Sequence, residues 1–295
     1  MFSGSYVAIV TPMRADGSID LDAWSRLIDW HLASGTNGVI VGGTTGESPT
    51  VTEAELAQLI ARARQQIAGR MVLMAGAGQN GTASTVERVR AMCALGVDAL
   101  LVVTPSYNKP TQEGLFRHFS AVAEASSVPV MLYNVPGRTA VDMLPATVAR
   151  LAELPRIAAI KEAVGDLARI RELLAVASRI AIFSGDDATA REAVLAGARG
   201  VVSVTANVAP QGMSRMIAAA LAGDAAGAAS IDATLADLHQ DLFIESNPIP
   251  VKWALARMGY IDDGIRLPLT PLSASCHARV LAALTRAGIS FRSST

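Results

Sequence analysis

Eight short apolar runs recur along this chain, with a stretch long enough for a helix after each, and that repetition constrains the fold more than any other feature. The runs are YVAIV (6–10), GVIVGG (38–43), MVLMAG (71–76), ALLVVTP (99–105), VPVMLYN (128–134), IAAIKE (157–162), IAIFSG (180–185) and GVVSV (200–204). They are rich in β-branched residues and almost continuously apolar rather than alternating, the pattern of parallel strands covered on both faces. Helix signals lie between them. Asp20 precedes LDAWSRLIDWHL, and Thr52 precedes EAELAQLIARARQQI with Glu55 three residues on, a capping box. Gly35, Gly69, Gly96 and Gly197 stand where helices are predicted to stop. Strand–helix alternation repeated eight times predicts an α/β fold, a (β/α)8 TIM barrel, with a doubly wound open sheet as the competitor. Beyond about residue 224 the strands cease, and helices are predicted over 226–241, 248–257 and 270–287. Residues 1–224 therefore read as the barrel and 225–295 as a C-terminal helical extension. The full length of 295 residues suits one barrel of roughly 250 residues with an appendage.

Composition excludes several function classes. A formal net charge of −1 gives no electrostatic footprint for nucleic acid or an anionic membrane surface. No apolar run reaches the roughly 18 residues of a membrane span. The start, MFSGSYVAIVTP, lacks the basic region of a signal peptide, and Cys93 and Cys276 match no CxxC or disulfide framework. The expected location is cytoplasmic. Of the 25 basic residues only Lys109, Lys161 and Lys252 are lysines. Each invites a question, because Lys can lose its proton and attack a carbonyl while Arg cannot.

A barrel active site forms at the C-terminal ends of its strands. There the sequence delivers Gly43-Thr44-Thr45-Gly46-Glu47-Ser48 after the second run and Ser106-Tyr107-Asn108-Lys109 after the fourth. Tyr133-Asn134 and Arg138 follow the fifth, Lys161-Glu162 ends the sixth, Gly185-Asp186-Asp187 ends the seventh, and Val202 and Ser203 lie in the eighth. Lys161 closes an apolar run, so its amine sits partly desolvated in the barrel mouth, and burial favours the neutral, nucleophilic form. The competing reading is a snorkelling Lys paired with Glu162. The GGTTGES loop can offer backbone N–H groups and two hydroxyls to an anion; lacking the Lys of a P-loop, it suits a carboxylate better than a triphosphate. Tyr133 is a candidate proton carrier beside Lys161, against a purely structural rim aromatic. Arg138, Lys109 and Lys252 taken alone read as solvated, snorkelling or paired side chains.

Other motifs point elsewhere. Gly76-Ala77-Gly78-Gln79-Asn80-Gly81 is a literal GxGxxG, but the acidic residue near the next strand, Asp98, precedes that strand instead of ending it, which disfavours a dinucleotide. The four histidines show no metal-ligand spacing, and no GxSxG elbow is present. No cofactor and no metal are expected.

Together these residues resemble the dihydrodipicolinate synthase family, of the pyruvate-dependent class I aldolase and N-acetylneuraminate lyase superfamily. The likeness runs through GTTGES (43–48), YNKPTQEGL (107–115), YNVPGRT (133–139), IKEA (160–163), SGDDAT (184–189), SVTANV (203–208) and NPIPVKWAL (247–255). The resemblance implies a Schiff base between Lys161 and pyruvate, and condensation with L-aspartate 4-semialdehyde in lysine and diaminopimelate biosynthesis. It implies that Thr44 and Thr45 hold the pyruvate carboxylate, Thr45 directly, with Gly185 and the backbone of Val202 also at the substrate. Tyr133 would move protons in a relay with Thr44 and a Tyr107 supplied by the neighbouring subunit, and Arg138 would bind the semialdehyde's carboxylate. A shared Tyr107 implies a homodimer, and the family a dimer of dimers. At positions where lysine-inhibited relatives bind lysine, this chain has Pro49, Glu53, Leu56, Ser84 and Ser106 beside Asn80, so weak or absent lysine feedback is expected. The rival enzyme is a sugar-acid lyase of the same superfamily, against which Arg138 stands. The rival outside catalysis is a carboxylate-binding barrel, which would have no use for Lys161 and Tyr133.

Overall fold

The computed structural model describes residues 2–291; the expected extension to residue 295 runs past them. Eight parallel strands close into a barrel in chain order: β1 (Gly4–Ala8), β2 (Gly38–Val41), β3 (Val72–Gly76), β4 (Ala99–Val103), β5 (Val130–Asn134), β6 (Ile157–Glu162), β7 (Ala181–Ser184) and β8 (Gly200–Ser203). The barrel closes where Gly4 of β1 comes opposite Gly200 of β8. This is the predicted TIM barrel, and the open-sheet alternative falls.

Strand bounds differ from the sequence reading where side chains cut the ladder. The first run was read to Val10, but β1 stops at Ala8, and the Val10 N–H donates to Asn207 Oδ1 at 3.0 Å. The helices between strands are α1 (Leu21–Ala33), α2 (Glu53–Ile67), α3 (Thr82–Ala94), α4 (Gln112–Ala125), α5 (Pro136–Thr139), α6 (Pro145–Leu151), α7 (Leu167–Val176) and α8 (Ala190–Leu195), with α9 (Pro210–Leu221) after β8. Asp20 caps α1 by accepting from the N–H groups of Asp22 and Ala23, and Thr52 and Glu55 form both bonds of the capping box on α2. Three more helices follow: α10 (Ala225–Asp241), α11 (Ile249–Met258) and α12 (Ala274–Arg286). The last begins four residues later than read, beyond Pro271, with Ser273 at its N-cap in a non-helical conformation. No helix is long and apolar enough to cross a membrane among the described residues.

The continuous apolar runs are explained by two cores. Alternate residues (Tyr6, Ile40, Met74, Leu101, Met131, Phe183) fill the barrel interior, while Val7, Val39, Leu73, Leu100, Leu132 and Ile160 face the surrounding helices. Each such side chain removed from water contributes on the order of 1.5–3 kcal/mol. Parity along the strand therefore decides which side chains reach the barrel mouth.

Candidate active site

On β6, residues 159 and 161 point inward and residues 160 and 162 outward, so Lys161 enters the barrel and Glu162 leaves it. Register sets Lys161 beside Tyr133 on β5 and Phe183 on β7. The side chain is buried, at 5% exposure, with Nζ 4.1 Å from the centroid of the Tyr133 ring. Glu162 is engaged elsewhere. Asn134 Nδ2 donates to its two carboxylate oxygens at 3.2 and 3.0 Å, the Val164 N–H donates at 3.0 Å, and Arg169 lies 3.5 Å away. Burial pushes the Glu162 carboxyl above its ordinary range, while Asn134 and Arg169 pull it back. The alternative pairing of Lys161 with Glu162 is thereby excluded by strand alternation. Among the described residues Lys161 has no carboxylate within ion-pair distance.

Gly185 is what lets Lys161 extend. A Cβ there would lie 3.0 Å from both Cγ and Cε of Lys161 and 2.8 Å from Cβ of Ala163. The position thus shapes the channel that holds the Lys161 side chain as well as lining the cavity.

The GGTTGES loop turns on itself. The N–H groups of Gly46, Glu47 and Ser48 donate to carbonyls of Gly43 and Thr44 at 3.1–3.3 Å. These three N–H groups serve the turn, which narrows the anion cradle read from the sequence to Thr44 and Thr45, whose own N–H groups have no hydrogen-bond partner among the described residues. Glu47, in the left-handed region at φ 55°, buries its carboxylate against Lys252 of α11 and accepts from the Arg266 N–H at 3.1 Å. Lys252 is therefore the paired lysine. Burial draws its amine below the ordinary range and the Glu47 charge opposes that shift. Lys109 is solvent-exposed.

Thr44, Thr45, Tyr133, Arg138, Lys161 and Gly185 line one cavity of about 130 Å³ at the barrel mouth. Past Thr44, Tyr133 and Arg138 it continues into a cleft of about 370 Å³ that reaches Asn80 and Ser106. Arg138 leaves the short helix α5, and its Nη2 donates to the Asn247 carbonyl at 3.1 Å, so it is a cavity residue and not a free loop charge. The other barrel tyrosine, Tyr6, lies deeper; burial, helped by the charge of Asp98, pushes its phenol up to about 12 and keeps it protonated.

Two positions lie elsewhere than the cavity wall. Val202 is buried in the barrel interior opposite Tyr6, and the wall at this strand's end is Val204. Tyr107 is 93% exposed and does not line the cavity of its own chain. Asn80 Oδ1 accepts from both the N–H and the hydroxyl of Ser106, and its carbonyl accepts from Asn108 Nδ2 at 3.0 Å; between these anchors Tyr107 takes φ 62°. The GxGxxG glycines have a packing role. A Cβ on Gly76 would sit 2.2 Å from the Gly42 carbonyl oxygen, and one on Gly78 would sit 2.8 Å from the Val103 nitrogen. Asp98 accepts from the Leu73 N–H at 2.8 Å.

Asp186, from the end of the seventh run, lines the cavity too, and so do Asn247 and Phe243, which the sequence did not single out. Asn247 sits inside the NPIPVKWAL block, the only signal available for it. Phe243 follows α10 and comes to the mouth only through the folding of the C-terminal helices.

Comparison with known proteins agrees over nearly the whole chain. Residues 1–287 match the dihydrodipicolinate synthetase family. The 4-hydroxy-tetrahydrodipicolinate synthase of Methylococcus capsulatus is 54% identical over 290 residues, covering 98% of this chain and 100% of the relative. The enzyme of the same name from Pseudomonas aeruginosa is 52% identical over 290 residues, covering 98% of this chain and 99% of that one. The crystal structure of the chloride-inhibited dihydrodipicolinate synthase from Acinetobacter baumannii complexed with pyruvate superposes with a TM-score of 0.97 at 49% identity, covering 98% of this chain and 100% of that one.

Proposed function

The chain belongs to the dihydrodipicolinate synthetase family, and we propose that Lys161 and the side chains around it carry out that family's reaction here. The protein is a 4-hydroxy-tetrahydrodipicolinate synthase, a class I aldolase-type lyase of lysine and diaminopimelate biosynthesis, condensing pyruvate with L-aspartate 4-semialdehyde. The observation that supports the residue roles is a single buried amine without a carboxylate partner, in a cavity that also holds two Thr hydroxyls, a phenol and a guanidinium.

Lys161 Nζ adds to the pyruvate ketone, and loss of water leaves an iminium. The iminium withdraws electrons from the adjacent methyl, which gives up a proton to form an enamine. The enamine carbon attacks the semialdehyde's aldehyde carbon. The amino group of the semialdehyde then adds to the iminium and displaces Lys161, closing the ring. Tyr133, stacked against Nζ, supplies and removes protons. Thr45, with Thr44, binds the pyruvate carboxylate, Gly185 and the Val202 backbone border it, and Arg138 takes the semialdehyde carboxylate.

Two finer readings go with this. A homodimer, paired again into a tetramer, puts the exposed Tyr107 of one copy into the relay of the next. Lysine feedback is weak or absent. Leu56 is buried under Gly42. Glu53 is paired with Arg88, and Asn80 already accepts from Ser106. We treat 1–224 as the catalytic barrel and 225–295 as an extension that braces the GGTTGES loop.

Steady-state rates on both substrate classes test the assignment. Condensation with L-aspartate 4-semialdehyde is expected to exceed retro-aldol cleavage of N-acetylneuraminate; faster cleavage would overturn it.

A further inference from the structure

Asn247 lies between α10 and α11, outside the barrel, yet it is only 6% exposed and lines the cavity that holds Lys161. It touches both carboxylate-binding groups. Its Nδ2 donates to Thr45 Oγ1 at 2.9 Å, and its backbone carbonyl accepts from Arg138 Nη2 at 3.1 Å.

A hydroxyl has one proton to give and two lone pairs with which to accept. By donating to Thr45, the Asn247 amide fills a lone pair and leaves the hydroxyl proton free. Among the described residues nothing takes that proton. A carboxylate guest accepts and does not donate, so it needs a hydroxyl whose proton is turned toward it. The other end of the amide, Oδ1, is buried with no hydrogen-bond partner among the described residues. An apolar residue of similar shape would avoid that cost, so the donor is the part of this side chain with a use.

We propose that Asn247 is a positioning residue that turns the Thr45 hydroxyl proton toward the pyruvate carboxylate, while its carbonyl holds Arg138 at the same cavity. This rests on the reading that Thr45 binds that carboxylate. Replacement by Asp keeps the shape but reverses the bond. An aspartate can only accept, so Thr45 would donate to it and present lone pairs to pyruvate, with a second negative charge close by.

The experiment is borohydride trapping on the full-length protein, with adduct yield followed against the concentration of pyruvate and of its neutral analogue pyruvamide. The half-saturating pyruvate concentration is expected to rise about tenfold in Asn247→Ala and about a hundredfold in Asn247→Asp, the scale of hydrogen bonds to a charged group. For pyruvamide the two variants should lie within about twofold of each other, since the bond to a carboxylate is the one being altered. In a Thr45→Val background the extra penalty of Asp over Ala should shrink to what the added charge alone imposes, as coupled residues require. An Asp variant no worse than Ala for pyruvate would overturn the proposal. So would one that loses pyruvate and pyruvamide equally, or one whose effect is additive with Thr45→Val. Failure of the unmutated protein to trap pyruvate at Lys161 would instead overturn the Schiff-base reading, so the two failures are distinct.

Discussion

Lys161 and Glu162 are adjacent in the chain and point to opposite faces of β6: the amine into the barrel over the Tyr133 ring, the carboxylate outward to Asn134 and Arg169. Strand alternation thus keeps the nearest acid in the sequence away from the amine. The other buried lysine, Lys252, has the opposite circumstance, since Glu47 is its direct partner. Both lysines lie out of solvent, and only the unpaired one lies at the mouth with groups able to hold and protonate a keto acid.

Gly185→Ala should separate the channel from the fold. Its Cβ would press on Lys161 Cγ and Cε at 3.0 Å and on Ala163 at 2.8 Å, displacing the amine from the position proposed for attack on pyruvate. Misplacement on that scale costs about ten- to a hundredfold in rate, while overpacking costs about 1–3 kcal/mol of stability. Stopped-flow trapping beside urea denaturation checks both, and an unchanged trapping rate would refute the channel role.

Glu47→Gln leaves the Lys252 ammonium buried without its counter-charge. Breaking one side of such a pair destabilises by about 3–5 kcal/mol. The double variant Glu47→Gln/Lys252→Met should recover a large part of that loss. Chemical denaturation of the four species in the cycle tests it; additive losses would show that the two side chains do not act as a pair.

The barrel, its strand order and the rim where the polar side chains gather were legible in the sequence because each rests on local pattern. Continuous apolar runs name the parallel strands, and their C-terminal ends name Lys161 and Tyr133; that the two lie side by side comes from the β5–β6 register. Thr52 and Glu55 announce α2 in four residues. What was not legible depends on the tertiary path of the C-terminal helices. Asn247 reaches Thr45 across 202 positions and Lys252 reaches Glu47 across 205. No periodicity encodes such contacts. The turn's use of its own N–H groups also escaped, since small residues fit an anion cradle and a self-bonded turn equally well.

Mixing inactive subunits tests whether Tyr107 serves a neighbouring site. Lys161→Ala has an intact Tyr107, and Tyr107→Phe has an intact Lys161. If each site draws these residues from two copies, a mixed dimer holds one complete site. Random reassembly of equal amounts should restore about a quarter of full activity. Activity no greater than the mean of the two parents would contradict the shared site.

His31 gives a pH dependence with a definite sign. Complete burial lowers its pKa from 6.5 to about 3, so the folded protein keeps the imidazole neutral while the unfolded chain protonates it below about 6.5. This contribution is fully present above pH 6.5 and is lost as pH falls toward 3, at up to about 1.4 kcal/mol per pH unit. Denaturation midpoints across that range should decline less steeply in His31→Gln than in the unmutated protein. An imidazole signal titrating near 6.5 by NMR would contradict the assignment.

The central claim is that the Lys161 amine is the nucleophile. Borohydride reduction in the presence of pyruvate, followed by intact-mass measurement and peptide mapping, reads it most directly. One reduced pyruvyl adduct per chain is expected, on the peptide containing Lys161, and none in Lys161→Ala, whose turnover should fall roughly 10⁴-fold or more. No adduct, or an adduct on Lys109 or Lys252 instead, would contradict the account.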